Sequence, residues 1–364
     1  MIQRGGTIGI LGGGQLGRML ALAAAPLGYR CHVFCPEKNG PASEVCAKHT
    51  EAPYTNKEAL KEFSSQVDIV TYEFENVPVE ATRLIEKNVS VFPSSLSLHI
   101  CSNRKNEKEF AAKNGIATAP WEYVPDRETL GKAIKKIGCP AILKSEESGY
   151  DGKGQALIKS EKNSKLDLAW DSIGRVPAIL EKQISFEREI SVILARDNND
   201  ICTVYPPIQN THKNGILDYS ISPAIMGKLQ LQKATDIATS VARGLNHIGV
   251  LCVELFVNPD GELLLNEVAP RVHNSGHLTI DACHTSQFSQ HIRAIVGLPL
   301  EPPNQHSNAA MKNLIGEDIN SWIELDKSPN SFLHLYGKND IRNGRKMGHV
   351  TWLYSPKTKP KIQC

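Results

Sequence analysis

The chain opens with a short apolar run, Thr7 to Leu11, then a Gly-rich turn from Gly12 to Gly17, an Ala/Leu-rich stretch from Arg18 to Pro26 and a second apolar run, Tyr29 to Cys35. A short unbroken apolar run bounded by glycines predicts a buried strand, and the longer stretch predicts a helix, so this is a strand–helix–strand unit. A third strand is expected over Val67 to Phe74, after a helix around Lys57 to Phe63. The pattern up to about residue 103 alternates as an open, Rossmann-like parallel sheet does. Ligands of such sheets sit beyond the carboxyl ends of the strands, where the Gly-rich turn and Glu73 both fall.

From Asn103 the pattern changes. Asn103 to Asn114 reads as a charged helix, and Ala141 to Ser145 and Gln155 to Lys159 read as strands flanking the loop Gly149-Tyr150-Asp151-Gly152-Lys153-Gly154. Further strands are predicted at Ala178 to Gln183, Glu189 to Leu194, Ile201 to Tyr205, Val250 to Val257 and Glu262 to Val268, with helices at Leu229 to Leu245 and Ser286 to Val296. Pro299, Pro302 and Pro303 mark a linker before a β-rich end. The fold class is therefore α/β and α+β, divided as an N-terminal parallel-sheet domain (1–103), a middle α+β domain (104–298) and a small β-rich C-terminal domain (299–364).

At about 100–200 residues per domain, 364 residues agree with two or three units. A composition of 41% hydrophobic and 22% charged residues excludes a disordered chain. A formal charge of +2 supplies no field that would recruit nucleic acid or an anionic membrane, so any bound anion must be held locally. The nine cysteines are scattered without a C-x-x-C pair, as expected of reduced cytosolic thiols. No apolar stretch approaches the roughly 20 residues of a membrane span. The expectation is a cytoplasmic protein.

Three segments carry candidate chemistry. Gly12 to Gly17 fits G-x-G-x-x-G, with Glu37 twenty residues past Gly17. Its amides could face the phosphate of a dinucleotide or another anion, or the glycines could only permit close helix–strand packing. The loop Gly149 to Gln155 could wrap nucleotide phosphates or be a surface hairpin; Lys144, between apolar neighbours on the strand leading into it, favours the phosphate. Two predicted strands meet across Asn258-Pro259-Asp260-Gly261, and a two-residue Asp260-Gly261 turn would set Glu254 opposite Glu267. Opposed carboxylates in apolar runs share a proton or hold a cation, and Mg²⁺ is the hard-oxygen choice; two solvated charges are the alternative. Arg271, close by, suits a developing phosphoryl charge. His273 and His277 also fit an H-x-x-x-H zinc pair, unsupported by cysteines. Lys338, Arg342, Arg345 and Lys346 would suit a substrate phosphate or form a solvated basic face.

Lys144, the Gly-Tyr-Asp-Gly-Lys-Gly-Gln loop, Glu254 and Asn266 with Glu267 together resemble the ATP-grasp superfamily. Gly12 to Met19, Thr71 to Val77, Asn274-Ser275-Gly276-His277, Leu335 to Lys338 and Gly344 to His349 narrow the resemblance to the 5-(carboxyamino)imidazole ribonucleotide synthases, over about residues 7 to 352. That resemblance implies an ATP-grasp fold and a ligase that uses ATP, Mg²⁺, bicarbonate and 5-aminoimidazole ribonucleotide, as a homodimer. It implies that Arg104, Lys144 and Gly149, Tyr150, Asp151, Gly152, Lys153, Gly154 and Gln155 contact ATP. Glu181, Lys182, Gln183 and Ile184 would read adenine, and Glu189, His212, Asn266 and Glu267 would complete the nucleotide pocket. Glu254 and Glu267 would hold Mg²⁺. Gln15, Glu73, Asn76, Asn274, Lys338 and Arg345 would bind the ribonucleotide, and Arg271, Asp151 and Lys346 would act in catalysis. Two departures stand out: Ser145-Glu146-Glu147-Ser148 where relatives often carry basic residues, and Val272 where proline is usual after the arginine.

Other readings remain at this level. A related ATP-grasp ligase would share the nucleotide and metal elements but differ at both ends of the chain. An NAD(P)-dependent oxidoreductase would use the first Gly motif, and a non-catalytic nucleotide-binding regulator would bind ATP without turnover.

Overall fold

The computed structural model describes residues 1–147, 149, 152–327 and 329–361. Its first sheet holds four parallel strands, β1 (Thr7–Leu11), β2 (Arg30–Cys35), β3 (Lys48–Glu51) and β4 (Ile69–Tyr72), in the order β3-β2-β1-β4. The predicted strand–helix–strand unit is present, with its helix at Gln15–Ala24 beginning directly at the Gly-rich turn. Leu16, Met19 and Leu20 of that helix share one core with Phe288 and Ile292 of the helix Gln287–Val296 and with Ile193 and Cys252 of the central sheet. This packing holds the turn against the rest of the molecule.

A second, antiparallel sheet has the order β5-β8-β6-β7, from β5 (Trp121–Val124), β6 (Ala141–Ser145), β7 (Gln155–Ile158) and β8 (Ala178–Lys182). The third sheet is built on β9 (Arg188–Arg196), β10 (Cys202–Val204), β11 (Ile208–Lys213), β12 (Ile216–Ser222), β13 (Gly249–Val257) and β14 (Leu263–Ala269). The β-rich C-terminal segment adds β15 (Asn308–Ile315), β16 (Ser331–Leu335) and β17 (Lys346–Tyr354) to its edge, giving β14-β13-β9-β11-β12-β15-β17-β16, with β10 on β9. Alternate residues of β9 and β13 enter two cores: Ile193, Ala195, Val250 and Cys252 face one, and Val192, Leu194, Leu251 and Val253 the other. That two-sided burial is why these strands read as unbroken apolar runs.

The helix Arg104–Lys113 links the second and third sheets. Asn103 caps it by accepting from Asn106 N at 3.0 Å. One turn in, Glu107 accepts from Val268 N at 2.8 Å, and Lys108 Nζ donates to the Asn266 carbonyl at 3.0 Å. Lys108 also pairs with Glu181 of β8 at 2.7 Å, and the same carboxylate pairs with Lys144 of β6. The partners are pulled in opposite senses. Burial opposes ionisation of Glu181, but Lys144 and Lys108 outweigh it and hold the carboxyl down at about 2. Burial, together with the cations Arg104 and Lys108, presses Lys144 below its ordinary range although Glu181 counters it. One carboxylate between two ammonium groups favours the ionised set.

Stability from Glu181 is fully present above its unfolded pKa of about 4.3 and is lost as pH falls through that value toward 2. The Glu181→Gln variant, which strands two buried lysines, is expected to lose about 3–5 kcal/mol and to show a flatter acid limb. Urea unfolding across that acid range checks both, and an unchanged acid limb would contradict the assignment.

Candidate active site

The hairpin β13–β14 supplies the central carboxylates. The turn is not the two-residue loop expected from Asp260-Gly261: Asn258 N donates to the Glu262 carbonyl and Gly261 N to the Asn258 carbonyl, both at 2.9 Å. This leaves a three-residue loop, Pro259-Asp260-Gly261, with Gly261 in the left-handed region at φ +86°. The pairing near the turn is accordingly Val257 with Leu263 and Leu255 with Leu265, one position off the expected register. A bulge at Asn266 then restores it, and Glu254 pairs with Glu267. The bulge also changes which face Glu267 occupies. Leu263 and Leu265 point into one core, but beyond Asn266 it is Val268 that enters that core, while Ala269 joins the opposite one. Glu267 therefore shares the face of Glu254, Cys252 and Ala269.

Glu254 is 8% exposed. Burial, with Glu267 beside it, pushes its carboxyl up to about 8. A proton here does what a cation would do, and two opposed carboxylates are a hard-oxygen donor set suited to Mg²⁺. His273 Nε2 lies 3.2 Å from Glu254, and burial holds that imidazole well below its usual range. Arg104 reaches Glu267 at 3.4 Å.

A cleft of about 460 Å³ opens in front of Glu267. Gln15, Glu73, Asn76, Arg104, Gly149, Glu267, Arg271, Asn274 and Lys346, all expected from the sequence, line it together. They come from six places: the turn after β1, the end of β4, the start of the helix Arg104–Lys113, the connection between β6 and β7, the hairpin β13–β14 with its following loop, and the start of β17. Arg271 is fixed by a half-buried ion pair with Glu75. Burial would raise the Glu75 carboxyl, but the guanidinium outweighs it and holds the group at about 2. That pair gives the loop its anchor although Val272 replaces the expected proline. Arg271 Nη1 also donates to the Val272 carbonyl at 3.1 Å.

The Gly-rich turn does not present a phosphate cradle. Glu73 accepts from Gly14 N and, at 2.6 Å, from Gly17 N, so the helix N-terminus is already facing a carboxylate of the chain. A Cβ at Gly12 would lie 2.3 Å from Glu73 Cγ, which is why glycine is needed. The dinucleotide reading fails here: its anion position is filled from within, and Glu37 is exposed. The zinc reading of His273 and His277 fails too. His273 turns to Glu254 and Ser275, whereas His277 Nδ1 contacts Gln287 Nε2 at 3.1 Å.

Other expected residues lie around the cleft without being among those that line it. Lys144 Nζ donates to Asn266 Oδ1 at 3.5 Å, and His212 Nδ1 lies 2.6 Å from Glu189. Glu181 is committed to its lysines, and Lys182 Nζ donates to the Cys139 carbonyl at 3.4 Å; Gln183 and Ile184 follow at the end of β8. Lys153 and Gln155 are exposed, and Gly152 approaches Gly215 of the β11–β12 hairpin to within 3.2 Å of a placed Cβ, with Gly154 packed on Ser145. Lys338 Nζ donates to the Lys346 carbonyl at 2.6 Å, and Arg345 Nη1 to the Asp340 carbonyl at 2.9 Å. Tyr150 and Asp151 lie outside the described residues. Glu146 and Glu147 do line the cleft, and they accept from Asn103 Nδ2 at 3.0 and 3.1 Å, so this acidic departure holds the capping residue of the helix Arg104–Lys113.

Three residues escaped the sequence reading. Lys108 stands four positions past Arg104, a same-face spacing that could have marked it; Glu107 lines the cleft with its carboxyl pushed by burial up to about 7. Glu75 lies two residues past Glu73, beyond the end of β4, but nothing local identifies its partner 196 positions away.

Comparison with known proteins agrees with this arrangement. Residues 6–102 match the ribonucleotide synthetase preATP-grasp domain, 109–288 the ATP-grasp domain and 309–359 the phosphoribosylaminoimidazole carboxylase C-terminal domain. The chain is 46% identical over 350 residues to the N5-carboxyaminoimidazole ribonucleotide synthase of Brucella melitensis, covering 96% of this chain and 97% of that one. The Bacillus subtilis synthase is 41% identical over 358 residues, covering 98% and 93%. A crystal structure of an N5-carboxyaminoimidazole ribonucleotide synthetase with ADP has a TM-score of 0.93 at 42% identity, covering 97% of this chain and 93% of that one. The Aspergillus clavatus synthase with ADP and 5-aminoimidazole ribonucleotide has a TM-score of 0.91 at 30% identity, covering 97% and 94%. With the ATP-grasp segments, the facing carboxylates and the cleft they close all in one chain, this protein belongs to the N5-carboxyaminoimidazole ribonucleotide synthases.

Proposed function

We propose that this chain carboxylates the exocyclic amine of 5-aminoimidazole ribonucleotide with bicarbonate, converting ATP to ADP and phosphate, in purine biosynthesis. The observation that carries the reading is the single cleft in which Arg104, Glu267 and Arg271, on the nucleotide side, meet Gln15, Asn76 and Lys346, on the ribonucleotide side. The three domains expected from the sequence then have distinct duties: the first and last hold the ribonucleotide, and the middle one holds ATP. No helix among the described residues is long and apolar enough to cross a membrane.

Bicarbonate is a poor electrophile, so its activation requires transfer of the γ-phosphoryl group to give carboxyphosphate. Lys144, kept charged by Glu181, and Arg104 meet the phosphates, with the Gly149–Gln155 loop folding over them. The edge from Glu181 to Ile184 presents the adenine contacts, with Glu189, His212 and Asn266 completing that pocket. Mg²⁺ held by Glu254 and Glu267 would neutralise phosphate charge. Arg271, aimed by Glu75, stabilises the oxyanion that develops as the phosphoryl group moves. Glu73 holds the turn that presents Gln15, and Asn76, Asn274, Lys338 and Arg345 bind the ribonucleotide. Asp151 and Lys346 place the amine and handle its proton. Exclusion of water by the loop preserves the intermediate. The active form is a homodimer in the cytoplasm.

The purified protein is expected to release ADP only when bicarbonate and 5-aminoimidazole ribonucleotide are both present. Equal turnover with formate and glycinamide ribonucleotide would overturn the assignment in favour of another ATP-grasp ligase. In the same assay Glu267→Gln should need more Mg²⁺ for half-maximal rate. Arg271→Lys retains a charge but loses the planar fork, so kcat should fall about 10²–10³-fold with little change in KM for ATP. A rise in KM at constant kcat would instead place Arg271 in ground-state binding.

A further inference from the structure

The strands that lead to Lys338 and Lys346 also carry a cluster apart from the cleft. His334 on β16 and His349 on β17 are opposed in the antiparallel register, and their rings stack with centroids 4.6 Å apart and planes 16° apart. Asp281, in the short helix Thr279–Ala282, faces them, with Oδ1 and Oδ2 3.1 and 2.9 Å from His334 Nε2. One donor atom from each of the three residues lies within 4.8 Å of the others.

His349 is the informative member. It is fully buried, its Nδ1 lies 2.8 Å from the Tyr336 hydroxyl, and its Nε2 has no hydrogen-bond partner among the described residues. An unsatisfied buried nitrogen costs about 1–3 kcal/mol and asks for an occupant. A hydrogen bond from Nδ1–H to the Tyr336 oxygen leaves Nε2 as a bare lone pair, the arrangement in which an outer partner fixes the tautomer of a metal-binding histidine.

We infer that Asp281, His334 and His349 form a binding site for zinc, with three protein ligands and an open fourth position. Tetrahedral bonds of about 2.0–2.1 Å set donor atoms about 3.3 Å apart, so the site closes by rotation of Asp281 and His334 toward the stationary His349. The present Asp281–His334 contact holds two of the ligands together in advance. The nitrogen-rich set differs in kind from the paired carboxylates Glu254 and Glu267, which suit a hard ion. An ion here would tie β16 and β17 to the Thr279–Ala282 helix and stiffen the wall that carries Lys338 and Lys346.

Equilibrium dialysis of the chelator-stripped full chain against zinc chloride tests this. The expected result is a bound zinc per chain that is lost in His334→Ala and in Asp281→Asn but retained in His273→Ala, which disables the separate Cys252–Glu254–His273 grouping. Tyr336→Phe, which removes only the outer partner, should weaken binding about tenfold. The His334 side chain is 29% exposed, so its truncation leaves the fold intact, and thermal melts of the stripped proteins verify that. Cobalt substitution should give visible absorption in the wild type that His334→Ala abolishes. No stoichiometric zinc in the wild type, or wild-type affinity retained in His334→Ala and Asp281→Asn, would overturn the inference.

Discussion

The cleft depends on one half-buried ion pair. Glu75 follows the end of β4 in the parallel sheet, and Arg271 follows the end of β14 in the large antiparallel sheet. Their contact is what brings the two halves of the site to a common edge. Such a pair contributes little net stability, since desolvation offsets most of the attraction, but breaking it leaves an uncompensated charge, so it fixes geometry more than it adds energy. Glu73, two residues earlier, repeats the device with backbone amides. The segment after β4 thus organises both the Gly-rich turn and the arginine that faces the reacting centre.

Much of this was legible in the sequence because it is locally encoded. The unbroken apolar runs of β9 and β13, covered on both faces, read directly as strands, and the helices at Lys228–Gly244 and Gln287–Val296 fall within a residue of expectation. The sequence also implies the pairing of Glu254 with Glu267, but through a turn one residue shorter than the chain forms. The bulge at Asn266 makes up the one-residue difference.

What was not legible depends on distant partners. G-x-G-x-x-G announces free amides at a helix start, and no local feature says that Glu73 will occupy them. Lys108 and Lys144 look like two unrelated cations until β8 brings Glu181 between them. The β-rich end read as a small unit of its own, whereas β15, β17 and β16 continue the central sheet; short strands carry no signal of the edge they will join.

The bulge at Asn266 has a consequence for how this chain can vary. With Asn258 opposite Glu262 across the loop, the extra residue by itself leaves an acidic group on the face it shares with Glu254. Straightening that bulge at constant length would set Glu267 opposite Val253 and drive its carboxylate among Val253, Leu255 and Leu265, whereas a shorter loop that keeps Asn258 opposite Glu262 would leave it beside Glu254. The face of the acidic group is thus set beside it rather than at the exposed tip, where changes of length that keep Asn258 opposite Glu262 pass without moving it.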